Sequence, residues 1–221
     1  MPLPGSARAW EASLSGNMRY NVRRKLRRLS EAYPQATLRT IDRSEALPEA
    51  LELLFRLHAL RWQSKGQTGN FVRPQVRAFH HRVGPELLAR GVLRLYQLDL
   101  GEGRIAATLY CLRSGGRELY LQAGMDPAYE VVSAGFCVMA KVIAAAADDG
   151  VTEFDFLRGT EGYKTHWATA QRTTRRLTAA RPTPRGLAWL ARQQATAEAK
   201  AGLKAAVPEA WLSAVRQRLG R

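Results

Sequence analysis

Residues 117–157 contain the pattern that decides the fold: RELYLQAG at 117–124, SAGFCVMAKVIAAAADD at 133–149 and TEFDFL at 152–157. The first and last runs have the composition of strands, and the middle run is apolar nearly all round, as in a buried helix. A strand, a helix and a strand in this order predict two parallel strands joined by a right-handed crossover. The segment RGTEGYKTHWA (158–168) follows as a loop that enters a short helix.

The segments ahead of this unit alternate between helical and strand-like patterns. They predict helices over 15–33, 44–64 and 73–90, and strands over 36–41, 92–100, 104–113 and 117–124. Ser15 is a suitable N-cap for the first helix, and Pro34 stops it. The last three strands are joined by short glycine turns, which predicts an antiparallel meander. Behind the unit, RTTRRLTAAR (172–181) is expected to form a last strand, and 185–221 one or two helices broken near Pro208.

The composition is that of a globular chain. Of its 221 residues, 46% are hydrophobic, which is enough for a well-buried core. Cys111 and Cys137 both lie in apolar runs, which predicts buried reduced thiols. The first ten residues have no apolar core of a signal peptide, and no apolar run is long enough for a transmembrane segment. The chain is therefore expected to be cytoplasmic.

The net charge of +15 is concentrated at the two ends of the chain. Residues 1–43 carry nine Lys/Arg against three Asp/Glu, and residues 172–221 carry eleven against two, while the middle is neutral. Such ends could hold nucleic acid, an anionic membrane surface or an acidic polymer. A pair of solvated helix faces explains them equally well, so the charge alone does not choose between these interpretations.

The start of the apolar helix is a candidate binding position for an anion such as a phosphate. The helix begins at the carboxyl end of a strand, where backbone N–H groups and the macrodipole favour an anion. Ser133, Ala134, Gly135 and Phe136 supply those N–H groups. The other interpretation is that Gly135 only shapes the entry to the helix.

Three stretches carry a resemblance to a known family: RWQSKGQTGNF (61–71), LYLQAGMDPAYEVVSAG (119–135) and EFDFLRGTEGYKTHWA (153–168). Together with the order of elements, they resemble the GNAT acetyltransferase fold. More narrowly, they resemble its CelD-like branch, which is associated with cellulose biosynthesis and is similar to FemAB-type aminoacyltransferases. The resemblance implies an α/β fold with a mixed central sheet flanked by helices. It implies a domain over 1–181 and a basic helical C-terminal tail over 182–221.

The resemblance also implies a site between the two parallel strands. In the GNAT fold these strands splay apart, and the pantetheine arm of acetyl-CoA or another acyl-CoA pairs with the exposed backbone. Here Gln122, Ala123 and Gly124 occupy that position, and 133–136 would face the pyrophosphate. The loop before the helix departs from the usual glycine-rich Q/R-x-x-G-x-G/A pattern.

Acyl transfer to an amine needs a base for the amine proton and an acid for the leaving thiolate. Tyr163 stands where many GNAT enzymes keep a tyrosine acid, and Glu161 is a candidate base. Asp155 lies among apolar residues and is either a third catalytic group or part of a structural ion pair with Arg158 or Lys164. Arg158, Lys164 and Trp167 are the candidate substrate-binding residues, although Trp167 also suits a core position.

The predicted function is acyl-CoA-dependent N-acyl transfer, of the acetyltransferase type, to a small-molecule or envelope-precursor amine. A Fem-like transferase that uses aminoacyl-tRNA is one alternative. A non-catalytic GNAT-fold module that binds nucleic acid or an anionic envelope polymer is another. No metal is expected, because the four His and two Cys have no recognised metal-ligand spacing.

Overall fold

A five-stranded mixed sheet forms the centre of the computed structural model, which describes residues 1–159, 162–175 and 177–206. The strands are β1 (Thr37–Ile41), β2 (Leu93–Asp99), β3 (Ile105–Ser114), β4 (Arg117–Met125) and β5 (Glu153–Asp155), and they lie in sequential order across the sheet. The first four are antiparallel neighbours, and β5 is parallel to β4. The predicted meander and the parallel crossover pair are both confirmed.

Seven α-helices surround or follow the sheet in the described part of the chain. They are α1 (Ala7–Ser13), α2 (Gly16–Ala32), α3 (Leu47–Gln63), α4 (Pro74–Ala89), α5 (Ala134–Asp148), α6 (Gly162–Thr165) and α7 (Pro184–Ala206). Two 3-10 turns, Asn70–Val72 and Pro127–Val132, precede α4 and α5. None of the helices in the described ranges has both the length and the apolar content that a membrane span requires.

The helices cover the two faces of the sheet and produce two apolar cores. On one face α5 packs against β3 and against α1 and α2, around residues such as Trp10, Leu109 and Ile143. On the other face α3 crosses β4 and β3 with α4 beside it, around residues such as Leu51 and Leu95. Because helices cover both faces of the sheet, the side chains of β3 are buried on both faces, which explains its continuous apolar run. Cys111 and Cys137 are buried and free, as predicted.

Several helix ends follow from capping residues. The Ser15 side chain accepts a hydrogen bond from the Met18 N–H, so the predicted N-cap of α2 is confirmed. The next long helix, α3, begins at Leu47 rather than at the predicted Ser44, with Pro48 in its first turn. Gly150, with φ +76°, lies just past α5 in the left-handed region where glycine is favoured.

Two features of β5 depart from the predictions. The strand is only three residues long instead of 152–157, because Leu157 has a left-handed φ of +55° and its N–H bonds to Asp155 Oδ1 at 2.7 Å. Its outer edge is paired with the first residues of the chain: Pro2 bridges Glu153, and the Leu3 N–H donates to the Thr152 carbonyl at 2.8 Å.

The chain divides into two compact units, Met1–Ala170 and Gln171–Arg221. In the second unit the predicted strand at 172–181 is wrong for the residues described there, 172–175 and 177–181, which have no strand structure. Leu177 is 93% exposed, so the segment buries no large apolar side chain that could hold it to a sheet. The predicted tail helix is present as α7, and the break near Pro208 lies outside the described residues.

Candidate active site

A gap opens between β4 and β5 where their pairing ends. The two strands pair only through Arg117, Glu118 and Leu119 of β4, although β4 continues to pair with β3 as far as Met125. Two irregularities coincide with the gap: Leu121 is the extra residue of a bulge in β4, and the turn at Leu157 ends β5. From Tyr120 onward, one backbone edge of β4 therefore has no strand partner among the described residues.

The residues whose backbone faces this gap follow from the register. The Asp126 N–H donates to the Ala106 carbonyl at 3.0 Å, and Met125, Gly124 and Ala123 continue the same ladder. Because hydrogen-bonded and non-hydrogen-bonded pairs alternate in an antiparallel ladder, the N–H and C=O groups of Ala123 and Met125 point away from β3. Two peptide groups are thus presented along the open edge.

Gly124, by contrast, is explained by helix packing. A Cβ atom at this position would lie 2.7 Å from both the His58 backbone nitrogen and the Leu57 Cβ. Only glycine lets α3 approach β4 this closely.

The N-terminus of α5 lies at the end of the segment that leaves β4. Ser133, which precedes the helix, has a left-handed φ of +54°, and its side chain caps no N–H group. A Cβ at Gly135 would lie 2.8 Å from Met125 Sδ, so a larger residue there would require the flexible Met125 side chain to shift. Lys25 of α2 places its Nζ 4.2 Å from the centroid of the Phe136 ring. The Ser133 N–H donates to the Glu130 carbonyl at 2.8 Å and the Phe136 N–H to the Ser133 carbonyl at 2.9 Å, so the N–H groups of Ala134 and Gly135 are the first-turn donors without a described acceptor. Two such donors with a cation nearby form a suitable environment for an anion.

A group of polar and aromatic side chains, here called the cleft cluster, surrounds the start of the gap. It consists of His58, Arg61 and Trp62 of α3, Tyr120 and Gln122 of β4, and Tyr163 of α6. The Tyr163 hydroxyl donates to the Tyr120 hydroxyl at 3.4 Å, and Arg61 Cζ lies 5.6 Å from the Tyr163 ring centroid. Trp62 Nε1 donates to His58 Nε2 at 2.9 Å.

Burial fixes the protonation of two members of the cluster. It lowers the pKa of His58 to about 4, and the Arg61 charge acts in the same direction, while Gln122 opposes it in part. His58 is therefore neutral at pH 7, and because Nε2 accepts from Trp62, its proton is on Nδ1. That Nδ1 is buried and forms no hydrogen bond of standard geometry with a described group. Burial also raises the pKa of Tyr120, as does the neighbouring Tyr163.

Three of the predicted site residues, Asp155, Arg158 and Lys164, lie behind the gap. Asp155 Oδ1 holds the turn at Leu157, and no described cation forms an ion pair with it, so the expected partnership with Arg158 or Lys164 is wrong within the described residues. The Lys164 side chain is buried, and its Nζ donates to the Arg158 carbonyl at 2.7 Å, while Arg158 itself is exposed. These contacts fix the course of the chain from β5 into α6. Glu161, the candidate base, lies outside the described residues.

Trp167 occupies a core position. Its ring stacks on Trp10 with a centroid separation of 6.4 Å and contacts Phe136 at 4.6 Å, and it is 5% exposed. The aromatic ring therefore anchors the segment after α6 to α1 and α5.

The sequence analysis assigned no role to His58, Arg61, Trp62 or Tyr120. Arg61 and Trp62 stand in the quoted stretch RWQSKGQTGNF, and Tyr120 stands in LYLQAG. The available signal was their helical spacing: His58, Arg61 and Trp62 are three and four residues apart and share one face of α3. The residues that contact this face of α3 could be identified only from the packing of α3 on β4.

A separate groove of about 770 Å³ lies on the face of the sheet that α3 covers. The residues that line it include Arg39, Phe71 and Arg77. Its charges are largely compensated, because Arg39 pairs with Asp99 and Arg77 with Glu52. None of the cleft cluster lines it. Among the residues that the structure describes, no group of three or more His, Cys, Asp or Glu side chains is arranged to hold a metal ion.

Comparisons with known proteins place the fold. Residues 16–165 match the sequence model of the family described as an acetyltransferase (GNAT) domain. The structure resembles that of FemX with a TM-score of 0.54 at 14% identity, over 71% of this chain and 51% of FemX, so the chain spans about half the length of that protein. No curated protein matches the chain by sequence.

Two further solved structures match with lower TM-scores. An aminoglycoside acetyltransferase, meta-AAC0020, from an uncultured soil metagenomic sample, in complex with sisomicin, has a TM-score of 0.47 at 15% identity, over 68% of this chain and 97% of its own. A predicted acetyltransferase with acetyl-CoA from Clostridium acetobutylicum has a TM-score of 0.47 at 11% identity, over 65% and 96%. The predicted fold class is confirmed, and the narrower CelD-like assignment stays a prediction.

Proposed function

The chain belongs to the acetyltransferase (GNAT) family, and from that premise we propose that it transfers an acyl group from a coenzyme A thioester, acetyl-CoA or another acyl-CoA, directly to an amine. The observation that carries the proposal is the open edge of β4, which leads from the cleft cluster to the N-terminus of α5. A linear donor with amides in the middle and phosphates at one end fits these two features in order.

The donor would be held mainly by backbone groups. The amides of its pantetheine arm would pair with the N–H and C=O groups of Ala123 and Met125, beside Gln122 and Gly124. Its pyrophosphate would face the N–H groups of Ala134 and Gly135 in the first turn of α5, with Lys25 as the neighbouring cation; the N–H groups of Ser133 and Phe136 are bonded to backbone carbonyls. Backbone N–H groups are present in every residue except proline. A loop without the usual glycine pattern can therefore also bind the donor.

The reaction would take place at the cleft cluster. The amine nitrogen attacks the thioester carbonyl carbon, a C–N bond forms and the C–S bond breaks. Glu161 is the proposed base that takes the proton from nitrogen, and Tyr163 the acid that gives its proton to the departing thiolate. The Tyr163 hydroxyl already contacts the Tyr120 hydroxyl, whose raised pKa keeps it protonated. Asp155 and Lys164 would position this segment, and Trp167 would anchor it to α1 and α5.

A Fem-like transfer from aminoacyl-tRNA is the second candidate, and the outer face of α2 favours it. Tyr20 is 64% exposed and lies under Arg24, with Arg28 one turn further along the same face. An exposed aromatic ring beside arginines suits a nucleic acid. In this version the basic tail over 182–221 would add a second polyanion contact to the domain over 1–181. A cytoplasmic location is part of both versions, since both cysteines are free.

A thermal-shift titration with acetyl-CoA, longer acyl-CoAs and free coenzyme A tests the proposal. A ligand at one hundred times its dissociation constant stabilises a protein by about 2.7 kcal/mol. We expect a saturable rise in melting temperature in the wild type and a weaker one in Lys25→Gln, with Arg28→Gln on the outer face of α2 as the matched control. No rise with any of these ligands at millimolar concentration would refute coenzyme A dependence, and steeply salt-dependent binding of tRNA would then support the second candidate.

A further inference from the structure

We propose that the acceptor amine also carries an anionic group, a carboxylate or a phosphate, and that Arg61 binds this group. The inference rests on the proposed function in one respect, because it takes the cleft cluster as the acceptor side of the gap. It goes further by naming the chemical class of the acceptor and the residue that selects it.

The first observation is the state of Arg61. Its side chain is half-buried at the last turn of α3, and no carboxylate among the described residues lies within ion-pair distance of it. Arg113, another partly buried arginine, pairs with both Glu118 and Asp149. The Tyr163 ring covers the face of the Arg61 guanidinium, and the Tyr120 hydroxyl engages part of its in-plane edge, which leaves the other N–H donors of the fork available. Those donors match a carboxylate or phosphate in bidentate geometry.

The second observation is the character of the groups around Arg61. The His58 ring is neutral and adds no second charge beside Arg61, while its Nδ1 lies against Gly69 and interacts with Gln122. The Tyr163 hydroxyl donates to the Tyr120 hydroxyl, so the Tyr120 O–H is the donor of this pair that can bond to a ligand. A concentration of donors around one cation favours an anion, because an anion accepts from several of them at once.

The same charge distribution disfavours a polycationic acceptor. A second positive charge near Arg61 would add repulsion in a partly buried site, where charges are weakly screened. We therefore expect amino acids or phosphorylated amino sugars to bind better than polyamines or aminoglycosides. A carboxylate and a phosphate would both contact Arg61. Amino acids and phosphorylated amino sugars differ in the distance between their amine and their anionic group.

The experiment compares amines that differ only in the anionic group. Calorimetry measures binding of alanine against alaninamide, and of glucosamine 6-phosphate against glucosamine, to the full chain without coenzyme A, in a buffer free of phosphate. Spermidine serves as the cationic probe. We expect the member that carries the anionic group to bind at least tenfold more tightly than the member that lacks it, in at least one pair. Which pair shows the difference identifies carboxylate or phosphate as the recognised group.

Two variants and one control assign the effect to Arg61. Arg61→Gln should abolish the preference, and Arg61→Lys should restore it only in part, because lysine lacks the fork of donors. Arg56→Gln removes an exposed arginine from another face of α3 and should leave the preference unchanged. Equal binding within both pairs, tighter binding of spermidine, or a full preference in Arg61→Gln would overturn the proposal.

These outcomes separate the inference from the function on which it rests. Anion-selective binding without any coenzyme A binding would contradict acyl-CoA-dependent transfer but support the Arg61 site. Acyl transfer to neutral or cationic amines, with no anion preference, would support the function and refute the inference.

Discussion

Replacing Arg113 by Met is expected to destabilise the domain strongly, because Arg113 is the cation that compensates the fully buried Glu118. Arg113 Nε donates to Glu118 Oε2 at 2.7 Å, and the Tyr96 hydroxyl donates to Glu118 Oε1 at 2.9 Å. Its further bond to Asp149 is exposed and contributes little. Removing one partner of a buried ion pair costs about 3–5 kcal/mol, because the other charge stays buried. For a chain of this size that lowers the melting temperature by about 6–20 °C.

A set of variants tests the cause as well as the size of this effect. Arg113→Met combined with Glu118→Met should recover part of the lost stability, since no buried charge remains. The Tyr96 hydroxyl and the Cys111 thiol then lack their Glu118 acceptor, and the lost hydroxyl bond costs about 1–3 kcal/mol. Adding Tyr96→Phe should recover the rest. Urea unfolding followed by tryptophan fluorescence gives the free energies. A loss below about 1 kcal/mol in Arg113→Met, or a double variant less stable than either single one, would refute the reasoning.

Three further predictions concern the site. Gly124→Ala should destabilise by about 1–3 kcal/mol in urea unfolding because its Cβ would meet α3, whereas Gly16→Ala, which meets no atom within 4 Å, should not. Tyr163→Phe should lower kcat more than donor affinity in steady-state assays if Tyr163 is the acid; equal losses would assign it to packing. His58 has a pKa of about 4, below its ordinary 6.5, so the unfolded chain binds a proton first as the pH falls. The free energy of unfolding should decrease across that interval, and His58→Gln should flatten the decrease; an unchanged slope would contradict the buried neutral ring.

Most of the fold could be predicted because its determinants are local. The stripe of Met18, Val22 and Leu29 specifies α2, and Ser15 and Pro34 lie at its two ends. Short glycine turns between β2, β3 and β4 specify antiparallel neighbours, and the apolar α5 between two strands specifies the parallel pair. In each case the residues that decide the structure are within a few positions of the residues that form it.

The site was harder to predict because its contacts join distant parts of the chain. Arg61 and Tyr163 are about one hundred positions apart, and the sequence does not indicate that α3 ends against α6. The strand expected at 172–181 failed for a related reason, since alternation predicts a strand only where a partner and a buried face exist. For Trp167, by contrast, the sequence already allowed the correct interpretation. The alternative of a core aromatic agrees with its stacking on Trp10.

The bulge at Leu121 connects the fold to the proposed chemistry. A bulge increases local twist and shifts the side chains that follow it to the other face of the sheet. Without it, the alternation from Tyr120 would place Gln122 on the α5 face; with it, Gln122 lies beside His58 and Gly124 lies under α3. The bulge comes two residues after Leu119, the last residue of β4 that pairs with β5. The same extra residue therefore turns β4 away from β5 and orients the cleft cluster, so the open backbone edge and the polar side chains arise together.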